Sequence, residues 1–256
     1  MKRHLYVITG SSRGLGHALA QQLLAPQNLV LGIARQACQA LQEEAQTKGT
    51  ELLQWRLDLS QPVAAAQALQ QWLTAQNADD WLSASLINNA ALLTPPGPME
   101  SVPLESLSSA MRVGLEAPAL LSAAFLQATQ SWAAPRKVLN ISSGLGRYAM
   151  AGSAPYCAVK AGLDNLSRAM ALDEAHKLTQ GRSSAGVVSL APGIIDTDMQ
   201  QQLRGGNPQH FPDQARFAEF KQQGQLASAE QTASRVLAFL ARKDFGQQVL
   251  ADVREA

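Results

Sequence analysis

A chain of 256 residues with 46% hydrophobic and only 16% charged residues can bury one large core and is too apolar to stay disordered. Lys plus Arg (21) balances Asp plus Glu (20), and a net charge of +1 gives no electrostatic case for nucleic acid or an anionic membrane surface, which leaves small molecules as the expected partners. Cys38 and Cys157 stand far apart and outside any CxxC pair, so they are expected to be reduced thiols in a cytoplasmic protein, neither a disulfide framework nor a metal site.

Behind the basic Met1-Lys2-Arg3-His4, the apolar run Leu5 to Ile8 is cut by Thr9-Gly10 and is too short for a signal peptide. No stretch approaches the ~20 apolar residues of a membrane span. Short apolar runs near 4–9, 29–34, 51–57, 84–88, 136–141, 185–190 and 247–251 alternate with segments of helical period near 14–25, 37–48, 61–77, 104–131, 155–179 and 228–241. The alternation predicts an α/β fold: a single Rossmann-type, doubly wound parallel sheet of about seven strands with helices on both faces, one domain over 1–256.

The first strand runs into Thr9-Gly10-Ser11-Ser12-Arg13-Gly14-Leu15-Gly16. Glycines there let the backbone approach a pyrophosphate while the helix behind supplies free N–H groups. Gly10, Ser12, Arg13, Gly14, Leu15 and Gly16 are therefore candidate cofactor contacts. After the second strand an NAD site wants a carboxylate for the ribose 2′-hydroxyl, and Val30 to Arg35 has none. Arg35 and Arg13 suit a 2′-phosphate instead, gripped from two sides, so NADP(H) is expected. Asp58-Leu59 closes the third strand, where the carboxylate suits an adenine amino group or, equally, a helix N-terminus before Ser60 and Pro62.

Asn140-Ile141-Ser142-Ser143 ends the fifth strand, the end at which open parallel sheets bind ligands, and either serine can hold a substrate oxygen. Pro155 then opens a helix in which Tyr156 and Lys160 share a face at i and i+4. A fixed ammonium beside a phenol lowers its pKa from about 10 and makes Tyr156 a proton donor to a carbonyl. The segment Met199 to Gln225, with Gly205-Gly206, Pro208 and Pro212 among Phe211, Phe217 and Phe220, reads as a substrate lid or as a surface helical hairpin held by its Phe residues. His4, His17, His176 and His210 show no metal-ligand spacing, and no metal is expected.

TGSSRGLG (9–16), Asp58-Leu59, Asn88-Asn89-Ala90, Ser143, the YxxxK of Tyr156 and Lys160, and Pro192-Gly193 stand in an order and spacing that resemble the short-chain dehydrogenase/reductase family over essentially the whole chain. The family's serine lies thirteen residues before its tyrosine, which selects Ser143 over Ser142. The resemblance implies that NADPH delivers hydride to a carbonyl carbon while Tyr156 protonates the oxygen, Ser143 orients it and Lys160 holds the nicotinamide ribose. It also implies that Asn88 and Ala90 pass under the adenosine ribose. Pro192, Gly193, Ile195 and Thr197 would fix the carboxamide, and a homodimer or homotetramer would form through the Ala- and Leu-rich helices. APGIIDTDMQQQL (191–203) and APYCAVKAGLD (154–164) resemble the sepiapterin reductase and benzil reductase branch, which implies an aromatic or vicinal-dicarbonyl substrate and gives Asp252 the place of a substrate anchor.

Two positions depart from the family. Ala91 replaces the last glycine of NNAG, adding a methyl near the cofactor. Gly114 replaces an asparagine that holds a water in the proton relay to Lys160; water filling the vacated space is the expected substitute. These departures motivate a rival reading, an NADP-binding sensor or interaction protein on the same fold.

Overall fold

Aliphatic residues condense into short runs, and the most apolar of them, Asn28–Ala34, is buried at every position, as expected of a central strand covered on both faces. The computed structural model describes residues 2–255. In chain order the elements are β1 (Arg3–Thr9), α1 (Gly14–Gln22), β2 (Asn28–Ala34), α2 (Gln39–Thr47), β3 (Glu51–Arg56), α3 (Pro62–Thr74), β4 (Trp81–Asn88), α4 (Leu104–Met111), α5 (Ala117–Ala128), β5 (Arg136–Ile141), α6 (Ala154–Thr179), β6 (Ala185–Ala191), α7 (Asp198–Arg204), α8 (Gln214–Gln222), α9 (Ala229–Ala241) and β7 (Leu250–Asp252). The strands form one parallel sheet in the order β3-β2-β1-β4-β5-β6-β7. The predicted doubly wound fold is what the chain adopts. Because β1 has β2 on one side and β4 on the other, the progression reverses there and opens a crevice at the carboxyl ends of the strands.

Both faces are covered. Leu15 and Leu19 of α1, Leu41 of α2 and Val236 and Phe239 of α9 pack on one side of the sheet. Leu69 and Leu73 of α3 with Leu121 and Phe125 of α5 pack on the other. Pro62 and Pro155 open α3 and α6 within the first turn, where a missing N–H costs nothing, and α9 starts with a capping box between Ser228 and Gln231. Among the described residues no helix is long and apolar enough to cross a membrane.

Two expectations change. The helix predicted over 104–131 is two helices joined by a π-helical turn at Arg112–Glu116. Pro118 has no N–H for the Gly114 carbonyl four residues back, so the ladder slips and the Ala117 N–H bonds to the Arg112 carbonyl instead. The last strand starts at Leu250 rather than 247, because Gly246, at φ 98°, turns the chain just before it. The segment 199–225 is largely helical: Phe211 is fully buried, and the Phe211–Phe217 and Phe217–Phe220 rings sit 5.6 and 5.9 Å apart. Its links pack on the loops leaving β4 and β5, with Gly206 against Pro96 and Gly152 against His210 and Phe211. The segment therefore lies against the loops at the carboxyl end of the sheet, a position open to a lid and to a helical hairpin alike.

Candidate active site

The loop between β1 and α1 is shaped by its glycines. Gly10 and Gly14 have φ of 69° and 55°, and a Cβ on Gly16 would stand 2.2 Å from the Gly10 carbonyl oxygen. Only bare backbone fits this cradle. Ser12, Arg13 and Leu15 complete it, Leu15 turned into the core. The α1 N-terminus has no side-chain cap and no acidic residue in its first turn, so its N–H groups and positive dipole end remain for an anion, which fits a nucleotide pyrophosphate.

Asn89 straps the end of β4 to this loop. Its Nδ2 donates to the Thr9 carbonyl at 2.9 Å, and the N–H groups of Asn89 and Ala90 donate to Thr9 Oγ1 at 2.9 and 3.0 Å. Asn89 was not among the candidate contacts. Its signal was the doubled asparagine at a strand end. Asn88 is instead a buried brace: Nδ2 donates to Ser122 Oγ and Asn140 Oδ1, and Asn140 donates onward to Ser167 Oγ.

The arginines expected to act together are in different situations. Arg35 lies exposed just past β2, whereas Arg13 Nη1 donates to Asp198 Oδ2 at 2.9 Å. That pair brings the start of α7 to the glycine loop, with Thr197 Cγ2 3.7 Å from where a Cβ on Gly14 would sit. Asp58 does not cap α3, whose N-cap is Gln61; its Oδ1 accepts the Ser60 N–H in a local turn beside buried Leu59. Ile195 bridges to Ala227, and Gly193 turns the chain at φ 80° between Pro192 and Ile194, with the Arg254 stem beside it.

Ser143, Tyr156 and Lys160 converge at the carboxyl end of β5. Ser143 begins a 3₁₀ turn at Gly144–Gly146 and accepts the Leu145 N–H. Tyr156 and Lys160 are buried, and Lys160 Nζ lies 5.6 Å from the Tyr156 ring centroid while donating to the Ile141 carbonyl at 2.7 Å. Here the sequence expectation is corrected. Burial pushes the Tyr156 phenol up to about 12, and only a hydrogen bond with Ser143 opposes it. Lys160, turned to Ile141, does not bring the phenol down. Burial also pushes Lys160 down to about 8, against the raising effect of Asp164.

The space at Gly114 is also not what was expected. A Cβ there would stand 2.4 Å from Val159 Cγ1, so the volume belongs to the Val159 side chain rather than to water. Asp252 ends β7 next to Ala191 and is 5% exposed. Its oxygens already accept from the Arg254 N–H, Nε and Nη2, and this pairing holds the carboxyl below its ordinary range.

The family model of the short chain dehydrogenases matches residues 4–208. The chain belongs to the short-chain dehydrogenase/reductase family. It is 32% identical to a benzil reductase ((S)-benzoin forming) of Bacillus cereus over 241 residues, covering 94% of this chain and 95% of that one. It is 31% identical to a sepiapterin reductase of Meriones unguiculatus over 250 residues, covering 93% and 92%. Among solved structures, a putative NAD(P)-dependent gluconate 5-dehydrogenase from Beutenbergia cavernae with bound NADP superposes with a TM-score of 0.80 at 25% identity, over 99% of this chain and 96% of that one. This short-chain dehydrogenase/reductase is therefore an oxidoreductase whose cofactor class is NAD(P).

Proposed function

We propose that this short-chain dehydrogenase/reductase reduces a ketone or vicinal dicarbonyl of the benzil or sepiapterin type with NADPH. The observation that carries the reading is the convergence of Ser143, Tyr156 and Lys160 at the carboxyl end of β5, on the same edge of the sheet as the cradle of Gly10, Gly14 and Gly16 after β1. When bound, the nicotinamide supplies the hydride to the carbonyl carbon. Tyr156 donates its proton to the carbonyl oxygen: a phenol held near 12 is fully protonated at neutral pH, and the transfer depends on stabilisation of the phenolate it leaves. Ser143 orients the oxygen through its hydroxyl. Lys160 uses one of its three N–H donors on Ile141 and has two left for the nicotinamide ribose and for the phenolate that forms.

The preference for NADPH rests on the missing carboxylate at the end of β2 and on exposed Arg35, with Arg13 released from Asp198 as its second arm. Ala90, Leu59 and Asp58 stand on the adenosine side, with Asn88 bracing the strand end behind them, and Pro192, Gly193, Ile195 and Thr197 on the carboxamide side. The α7–α8 segment serves as the lid over the substrate, and Asp252 meets the substrate only after parting from Arg254. Free Cys38 and Cys157 suit the cytoplasm, and the exposed Leu172 and Leu178 of α6 suit a homodimer or homotetramer.

The similarity to benzil and sepiapterin reductases supports the substrate class, and the direct test offers purified protein benzil, a second 1,2-diketone and sepiapterin with NADPH or NADH. Diketone-dependent loss of NADPH, faster than that of NADH, is the expected result; no consumption with any carbonyl sinks the reading. The filled space beside Gly114 favours one second reading, an NADP-binding sensor, for which NADPH would bind tightly without turnover.

A further inference from the structure

Directly behind Ser143 lies a carboxylate that the reduction as described does not use. Asp164, one helical turn after Lys160 on α6, is 2% exposed. Its Oδ1 accepts from Ser142 Oγ at 2.5 Å and from Ser189 Oγ at 2.6 Å, which ties the ends of β5 and β6 to the helix. Its Oδ2 is buried and has no hydrogen-bond partner. The charged groups facing it are Lys160 on its own helix and Arg147, whose Nε stands 3.6 Å from Oδ2. The neighbours from β5 and β6 are neutral hydroxyls. A Cβ on Gly146 would stand 2.9 Å from both Oδ2 and the Lys160 carbonyl oxygen, so the turn that carries Ser143 lies directly on this carboxylate.

Stability alone does not account for such a group. A buried charge with an open lone pair is unfavourable compared with an apolar side chain of the same shape, so it points to a use for its charge. Two features of the site need one. Lys160 is 2% exposed, and the residue before it on α6, Val159, packs its apolar side chain against Gly114. Ser143 sits on a turn whose preceding residue, Ser142, is anchored by its hydroxyl to Asp164.

We propose that Asp164 is a positioning residue of the reduction: its carboxylate holds the Ser142–Ser143 turn against Tyr156, and its negative charge keeps the buried Lys160 an ammonium. The inference rests on the reading of Tyr156 and Lys160 given above. Burial and Asp164 act on Lys160 in opposite directions, so removing the charge lowers the pH at which the ammonium is lost. Removing Arg147 does the reverse, because Lys160 loses a like charge and Asp164 is no longer shared.

The experiment follows kcat/KM for NADPH-driven reduction across about pH 6 to 10 in the wild type, Asp164→Asn, Arg147→Met and Ser189→Ala. In Asp164→Asn, which keeps the shape and an acceptor for Ser142, the alkaline limb should move down by about one pH unit, so that its deficit grows with pH. In Arg147→Met the limb should move up. Ser189→Ala, which removes one hydrogen bond but no charge, should lower the melting temperature and leave the limb in place. A deficit in Asp164→Asn that is the same factor at every pH, or limbs that coincide in both charge variants, would overturn the proposal. Titration of the Lys160 ammonium by NMR in labelled protein, identified by its absence from Lys160→Met, reads Asp164 without turnover. A wild type that reduces nothing but whose Lys160 midpoint falls in Asp164→Asn refutes the function and upholds the charge role, whereas an unmoved midpoint refutes the charge role.

Discussion

Burial moves Tyr156 and Lys160 in opposite directions, and the sign of each decides the pH dependence. The phenol, pushed up to about 12, remains protonated throughout the physiological range, whereas the ammonium, pushed down to about 8, is the first of the two to be lost as pH rises. Reduction is therefore expected to fall as pH rises through about 8, with the limb set by Lys160; a pH–rate profile still flat at pH ~10 would contradict this. At the other end of the cofactor, Arg35→Ala should raise the KM for NADPH about tenfold, about 1.4 kcal/mol, and leave that for NADH unchanged. Steady-state kinetics with both nucleotides checks it, and an equal effect on both would remove the case for a phosphate contact. The residues of this site were legible in the sequence wherever the chemistry is local, as in the i, i+4 pair of Tyr156 and Lys160 or the glycines at 10, 14 and 16. Orientation was not. That Lys160 turns to Ile141, that Arg13 reaches Asp198 and that Arg254 covers Asp252 depend on partners chosen among several within reach once the chain has folded.

Among the elements, the break between α4 and α5 explains how the chain accommodates Gly114. Pro118 removes the donor for the Gly114 carbonyl, the helix opens into a π turn, and α6 approaches until Val159 occupies the place of a side chain at 114. Periodicity predicted one continuous helix because the apolar spacing continues across the break, and the proline that forces the break stood in plain view. Gly114→Asn should therefore cost about 1–3 kcal/mol through overpacking against Val159, and Val159→Ala in the same chain should recover most of it. Thermal unfolding of the two single variants and the double variant reads the coupling. Additive losses would show that the two positions do not share the space. Within the segment 199–225, Phe211 in the link ahead of α8 meets Phe217 of that helix, and Phe217 meets Phe220 edge-on, so the aromatic contacts fix the link onto α8.

At the scale of the molecule, the alternation of strands and helices carried the fold class, because parallel neighbours require crossovers and crossovers have one hand, whereas the strand order came only with the assembled sheet. The buried polar chain from Ser122 through Asn88 and Asn140 to Ser167 was invisible beforehand, since it joins residues of β4, β5, α5 and α6 that only the assembled sheet brings together. A cradle already shaped for a nucleotide binds it in the folded state alone. NADPH at about a hundred times its Kd should add about 2.7 kcal/mol and raise the melting temperature by about 5–10 °C in a chain of this size; an unchanged melting curve would contradict the nucleotide site. The central claim, that Tyr156 gives the proton in an NADPH-dependent carbonyl reduction, is tested most directly by following NADPH absorbance with benzil for the wild type and Tyr156→Phe side by side. The account predicts steady consumption by the wild type and a loss of at least about 100-fold in Tyr156→Phe, with NADPH binding retained. Equal rates in the two proteins would contradict it.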